Sequence, residues 1–453
     1  MTAPDSNVKK AQPAEPAPVG DEILLQDWTP MSRCLDWRIG RVAWNALGAK
    51  LFADGDVPNL AHDSGTHSRK CADLLLRWCE DCDERGTLPD EIVVVEYGMG
   101  TGLFLRFLLD AFKARCDSDG LPYYGQLRVY ATDVSAAMLQ AAHDRGLFAD
   151  HAERVTLALA DILKPSEIRP FGGDTTIDLG GSVSASFSNY ALDLMPIDIF
   201  RRTSAQTNGA EAAEPATWEA VLVRTWLREP GELRAYTDAP LEQLKQWAAR
   251  GDAPAIAALG PVYSLLQAEL RTFPFDVTTH PDAADLDTYA THLESLLGAG
   301  HDLLNDGVVV YHSGGALEAA ERVTAALSDE GFALFRDVAL HTAELAGVAR
   351  TYQHFGPTVA AAVNLVQWDH HFADGGRHGV RTLAPDSDGV RDQAVRVLVR
   401  GSADLEAAVT ALFDAGLAAQ HVALVQSAGR VDDAKEALEL YREALAAEPN
   451  HWG

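Results

Sequence analysis

The spacing of apolar residues changes character near residue 91. From Trp28 to Glu84 apolar positions recur at helical intervals, interrupted by "ADGDVPNLAHDSGTHS", and "RKCADLLLRWCEDC" is the clearest amphipathic stretch. Beyond it come short, continuous apolar runs rich in β-branched residues, at 92–97 (IVVVEY), 128–133 (RVYATD), 154–161 (RVTLALAD) and 182–189 (SVSASFSN). Three more follow at 307–312 (GVVVYH), 331–337 (GFALFRD) and 358–368 (TVAAAVNLVQW). Buried runs of this kind, alternating with helical stretches, predict an α/β protein with a doubly wound, seven-stranded, mostly parallel sheet. The last two runs could form an antiparallel hairpin at its edge.

The remaining segments set the domain plan. Residues 1–20 are rich in Pro and Ala without periodicity, which predicts a disordered tail. Residues 21–90 read as an N-terminal helical segment, and 91–372 as the sheet-containing domain. The interval 200–300 is too long for one crossover. Apart from the strand-like "WEAVLVRTWL" its periods are helical, as in "PLEQLKQWAARGDAPAIAALGPVYSLLQAEL", so it reads as an inserted helical cap. Residues 373–395, with many Gly, Asp and Arg, read as a linker, and 396–453 as a helical C-terminal region.

Charge and cysteine usage narrow the partners. The formal net charge is −29, from 66 acidic and 37 basic residues. A nucleic-acid or anionic-membrane partner would require a basic footprint, so neither is expected; a cationic substrate is compatible. Five cysteines at irregular spacing make no disulfide framework. With no basic n-region followed by an apolar stretch, and no run of about 18 apolar residues, the expectation is a cytoplasmic protein. Cys79 and Cys82 form a C-x-x-C near Cys71, His67 and His62, but no second half at ribbon spacing exists. The helical period accounts for their separation, so no metal is expected. His370 and His371 read as surface.

The residues that end each predicted strand carry the chemistry, because ligands of open α/β sheets bind beyond the carboxyl ends of the strands. The first run ends in Glu96-Tyr97-Gly98-Met99-Gly100-Thr101-Gly102. Such glycines allow close backbone approach, and the helix that follows offers free N–H groups to an anion. The spacing differs from the dinucleotide pattern, since Leu103 stands where its third glycine belongs; the loop also lacks a Walker lysine. The second run ends in Asp133-Val134, placed to hold two ribose hydroxyls. The third ends in Asp161-Ile162, placed to accept from an adenine amino group. A bare tight turn would explain the glycines, but not the two acids that follow in step.

An adenosine bearing a carboxylate and a cation in place of a pyrophosphate fits these positions, which describes S-adenosylmethionine. Over roughly 90–370 the chain resembles the class I methyltransferases, with "VVVEYGMGTG" as their first motif, "YATD" as the ribose acid and "LALADI" as the adenine contact. The resemblance implies a Rossmann-like domain with Glu96, Tyr97, Gly98, Gly100, Thr101, Gly102, Asp133, Val134, Asp161, Ile162 and Asn189 at the cofactor. The stretch "SFSNYALDLMP", Ser186 to Pro196, is similar to the Asn-Glu-x-x-Asp-Ala-x-Pro segment of the MidA-like methyltransferases. That group includes the mitochondrial complex I assembly methyltransferase. Asn189, Leu192, Asp193 and Pro196 match or nearly match, and Tyr190 stands where that group carries an acid. The likeness implies methylation of an arginine side chain, with Asn189, Tyr190 and Asp193 facing the transferred methyl.

His312, after "GVVVY", is a second candidate base. Ser64, Thr66 and Arg69 could reach the carboxylate end of the cofactor from the segment that covers it, although Thr66 or Ser68 equally suits a helix cap. "AGRVDDAKEALELYREALAAEPNHW" resembles the second helix of a tetratricopeptide repeat through Ala437, Tyr441, Ala444 and Pro449. It would dock on the catalytic domain or on a second chain in a homodimer. The expected activity is methyl transfer to a guanidino or amino nitrogen, of arginine free or in a protein. Two alternatives stand: an O- or N-methyltransferase of secondary metabolism, and a non-catalytic cofactor-binding assembly factor.

Overall fold

The computed structural model describes residues 22–53, 65–203, 216–348, 350–373, 379–385 and 393–413. The main sheet is built on seven strands: β1 (Ile92–Tyr97), β2 (Leu127–Asp133), β3 (Val155–Leu159), β4 (Val183–Asn189), β5 (Leu327–Leu340), β6 (Val380–Leu383) and β7 (Gln393–Arg400). Their order is β6-β7-β5-β4-β1-β2-β3. The short strands Glu167–Pro170 and Ile177–Asp178 extend the β3 edge, and Val363–Asn364 pairs beside the end of β5, so among the described residues the sheet has ten strands rather than seven. The run β3-β2-β1-β4-β5 is parallel, and β7 is antiparallel to both its neighbours. The chain order reverses between β1 and β4, the switch point at which doubly wound sheets bind ligands.

β1 is buried along its whole length, as its unbroken apolar sequence requires. On one face Val94, Phe187 and Leu334 pack under the helices Thr66–Glu84 and Leu103–Asp119. On the other, Val95, Ala333 and Phe335 pack against Gly314–Ala326 and Leu365–Phe372.

The expected insert 200–300 keeps helices at Leu241–Arg250, Ala253–Leu259 and Ala283–Leu297, but it also contributes strands to a second, antiparallel sheet. The five strands of this sheet are Ile23–Pro30, Asp198–Arg202, Trp218–Leu227, Leu266–Phe275 and Val308–His312. Trp218–Leu227 and Leu266–Phe275 pair over their full length, from Leu266 opposite Leu227 to Phe275 opposite Trp218. The periodicity of "SLLQAEL" suits a helix locally, but the long cross-strand pairing overrides it. The run 307–312 therefore belongs to this sheet and not to the main one. The segment 21–90 is also not wholly helical, because Ile23–Pro30 is an edge partner of Trp218–Leu227.

Three further expectations change. The run 358–368 is no long strand: Thr358–Ala360 forms a small hairpin with Gln353–Phe355. Asn364 then caps the helix Leu365–Phe372 by accepting from the Gln367 N–H at 3.0 Å. The expected linker 373–395 contains β6 and the start of β7, and the expected helical region from 396 begins inside β7. A helix, Glu406–Phe413, follows. The tail 1–20, Ser64 and the tetratricopeptide-like stretch with Ala437, Tyr441, Ala444 and Pro449 lie outside the described residues.

Candidate active site

The glycine loop joins β1 to the helix Leu103–Asp119. Gly98, Gly100 and Gly102 all have positive φ (72°, 53° and 75°), a region that side chains disfavour. A Cβ on Gly102 would also stand 2.5 Å from Leu147 Cδ2. Gly102→Ala should therefore lower the melting temperature more than Gly120→Ala, where φ is 68° and nothing lies within 4 Å. Both variants carry the left-handed backbone cost of about 1–2 kcal/mol; only the first adds a clash. Equal losses in thermal melts would show that the packing against Leu147 yields freely.

Asp133, buried at the end of β2, braces this loop. Its carboxylate accepts from the N–H of Gly100 (3.1 Å) and of Ser135 (2.9 Å), leaving further lone pairs on both oxygens. Burial pushes its carboxyl up to about 6, against the pull of these backbone donors. Val134 beside it is 45% exposed, an apolar surface suited to a ring face. Asp161 accepts from Leu163 N–H (3.0 Å) and pairs with Arg41 at 2.8 Å, while Ile162 is buried. Arg41 belongs to the helix Leu35–Leu47, and Asn45 of the same helix accepts from Ser135 Oγ (3.3 Å). That helix thus lies over the ends of β2 and β3.

At the switch point several buried polar atoms lack a hydrogen-bond partner among the described residues. They include Glu96 Oε2, Thr101 Oγ1, Ser68 Oγ, Asn189 Nδ2 and Asp193 Oδ1. Native proteins leave few such atoms unpaired, so a cluster beyond the carboxyl ends of β1 and β4 marks where a polar ligand would sit. Burial, and secondly the charge of Asp133, hold the Glu96 carboxyl well above the usual range. An ammonium group arriving there would ionise it. This donor and acceptor set fits S-adenosylmethionine: Glu96 and the loop for the methionine end, Asp133 for the ribose, Val134, Asp161 and Ile162 for the adenine. Tyr97 is a correction. Its side chain is buried away from the loop, with the hydroxyl donating to Pro165 O at 2.8 Å, so the residue can serve a ligand only through its backbone.

Asn189, Tyr190 and Asp193 come together after β4. Tyr190 has a φ of 52°, unusual for an aromatic residue and characteristic of constrained sites. Its N–H donates to Arg336 O (2.9 Å), and the Arg336 guanidinium lies 5.6 Å from its ring centre. Asp193 is buried, and burial raises its carboxyl to about 7. Asp337 of β5 accompanies it, with one oxygen accepting from the N–H of Leu192 (2.9 Å) and of Asp193 (3.2 Å). Burial and then the charge of Asp193 raise Asp337 as well.

His312 is not part of this group. It ends a strand of the second sheet, and both ring nitrogens are used: Nε2 lies 3.0 Å from Asp282 Oδ2 and Nδ1 lies 2.8 Å from Gln367 Nε2. A ring engaged in this way is not poised as a base. Of the covering segment, Arg69 donates to Thr66 Oγ1 (3.2 Å), and His67 reaches the site, with its Nε2 2.9 Å from Asn189 Oδ1. The sequence reading missed His67, Arg41 and Asp337. For Asp337 a signal existed, since a carboxylate inside an otherwise apolar strand must find donors or a cation.

No protein-family model and no curated protein matches the chain. Solved structures do. A Burkholderia thailandensis protein crystallised with S-adenosyl-homocysteine is 16% identical, with 83% of this chain and 88% of that chain covered and a TM-score of 0.47. A native crystal structure of an uncharacterised protein from the same organism is 17% identical over the same shares, with a TM-score of 0.46. The DszA carbon methyltransferase is 11% identical, covering 81% of this chain and 64% of its own, with a TM-score of 0.33. Among the described residues no helix is long and apolar enough to cross a membrane.

Proposed function

We propose that this protein is an S-adenosylmethionine-dependent methyltransferase whose acceptor is a guanidino or amino nitrogen. The observation that carries this reading is the set of buried, unpartnered polar atoms at the switch point, flanked by Asp133 and by the paired carboxyls Asp193 and Asp337. Bound S-adenosylmethionine would supply an electrophilic methyl on sulfur. The chain's own residues must then hold the acceptor in line with that methyl, exclude water and take up the proton that the nitrogen loses.

Asp193 suits the last task. Its unpartnered oxygen can accept an N–H from the acceptor, and a carboxyl raised to about 7 can gain or release a proton near neutrality. Asp337 keeps the loop 192–193 in place through two backbone N–H bonds. The helix Thr66–Glu84, with His67 on Asn189, closes one side. The MidA-like stretch supports arginine as the acceptor class.

The test is a methyl-transfer assay with radiolabelled S-adenosylmethionine against free arginine, arginine-containing peptides and small primary amines. Labelling of one of these, abolished in Asp193→Asn with S-adenosylhomocysteine affinity retained, is the expected result. Affinity for the cofactor product without labelling of any acceptor would favour a non-catalytic binding protein.

A further inference from the structure

A side-chain cluster in the second sheet is not used by the methyl transfer proposed above. His280 and Asp282 lie in the turn between the strand Leu266–Phe275 and the helix Ala283–Leu297. His312 closes the strand Val308–His312. One ligand atom from each residue, two imidazole nitrogens and a carboxylate oxygen, lies within 4.8 Å of the others. The His312 Nε2 to Asp282 Oδ2 distance is 3.0 Å, and the two imidazole rings stand 5.5 Å apart at 81°. The Asp282 N–H donates to His280 Nδ1 at 3.1 Å, which holds that ring and the turn together.

We propose that His280, Asp282 and His312 bind a divalent transition-metal ion of the zinc class, which clamps the turn before Ala283–Leu297 onto the end of the strand Val308–His312. Two imidazoles and one carboxylate make a typical three-residue zinc ligand set, with a fourth position left for water. Zinc bonds of roughly 2.0–2.2 Å place tetrahedral ligand atoms roughly 3.3 Å apart. No separation exceeds 4.8 Å, so the trio need close by at most roughly 1.5 Å, a motion open to His280 on its partly exposed turn.

The proton on His312 sets the condition for binding. Gln367 Oε1 accepts from Ser313 N–H (3.0 Å), so its NH2 group donates to His312 Nδ1 and the proton of this imidazole sits on Nε2, shared with Asp282. A metal at Nε2 requires that proton to move to Nδ1, with no net release, and requires an acceptor facing Nδ1. Gln367 supplies one only by turning its carboxamide away from Ser313. Gln367→Glu would offer one oxygen to each group.

The experiment uses the full chain, stripped with a chelator and titrated with zinc chloride against a chromophoric competitor. Cobalt(II) is substituted in parallel to read the ligand field. The expected result is one equivalent bound, weakened at least about tenfold by His280→Gln and tightened about tenfold by Gln367→Glu, each change corresponding to loss or gain of one good ligand interaction. His280 is partly exposed, so His280→Gln should keep its melting temperature in the absence of metal. Absence of stoichiometric binding, or a site whose affinity is unchanged in a folded His280→Gln protein, would overturn the proposal. S-adenosylhomocysteine affinity, measured on the same samples, should be unaffected by this variant.

Discussion

Asp133→Ala will weaken S-adenosylhomocysteine binding by about 10- to 100-fold while the protein still melts cooperatively. A carboxylate accepting two ribose hydroxyls makes charge-assisted hydrogen bonds worth about 1.5–3 kcal/mol each, so loss of one already accounts for the lower limit. The same carboxylate braces the glycine loop through Gly100 N–H, and its removal loosens the loop as well. The pH dependence gives an independent signature. The folded, ligand-free carboxyl sits at about 6, above its unfolded value of about 3.9. The folded state therefore binds more protons between those values, and the protonated form contributes stability that is lost as pH rises through about 6. Ligand hydroxyls prefer the ionised form, so affinity should climb over the same range and level off above it. Asp133→Asn, similar in size but without a titrating group, should flatten that profile. Calorimetric titration between pH 5 and 8 measures both effects, and unchanged affinity in Asp133→Ala would remove the residue from the site.

The positions proposed for the cofactor stand out in the sequence because each lies at or just past the end of a strand: Asp133 and Asn189 close β2 and β4, the glycine loop follows β1, and Asp161 comes just after β3. Gly98 to Gly102, Asp133, Asp161 and Asn189 needed only the rule that strand ends carry ligands, plus an unbroken apolar run to mark each strand. Tyr97 failed for a reason of parity: it alternates with Glu96, so once Glu96 faces the ligand Tyr97 must face the opposite core. His312 failed because the rule depends on which sheet a strand joins, and nothing within "GVVVYH" announces pairing with Asp198–Arg202. Of the second sheet, Trp218–Leu227 and Val308–His312 read as strands, but their pairing and the other three strands were opaque for the same cause. Its strands come from five distant segments, and their stability lies in cross-strand partners that no local window contains. His67 and Arg41 reach the site through tertiary contacts alone.

The C-terminal boundary is the sharpest such error, and it changes what a truncation will do. Deleting 393–453 will unfold the protein, whereas a chain ending at Phe413 will fold and bind S-adenosylhomocysteine. β7 lies between β5 and β6, pairs with both, and buries Val397, Leu398 and Val399 almost completely. Those three side chains alone contribute about 1.5–3 kcal/mol each, roughly 5–9 kcal/mol together, against a typical domain stability of about 5–15 kcal/mol. Removing β7 also strands the partly buried pair of Arg396 with Asp369, whose two hydrogen bonds are both 2.6 Å. β6 would lose its only strand partner among the described residues. Past β7, Ala403, Leu405 and Val409 are buried in the core beneath Thr66–Glu84 and Leu103–Asp119, so a cut between 400 and 413 should fold but melt lower. A chain ending at Phe413 keeps all of these and every described strand of both sheets. Circular dichroism, light scattering and a ligand titration on the three truncations would order them in this way. A folded, ligand-binding protein lacking 393–453 would show that the sheet closes without its antiparallel edge.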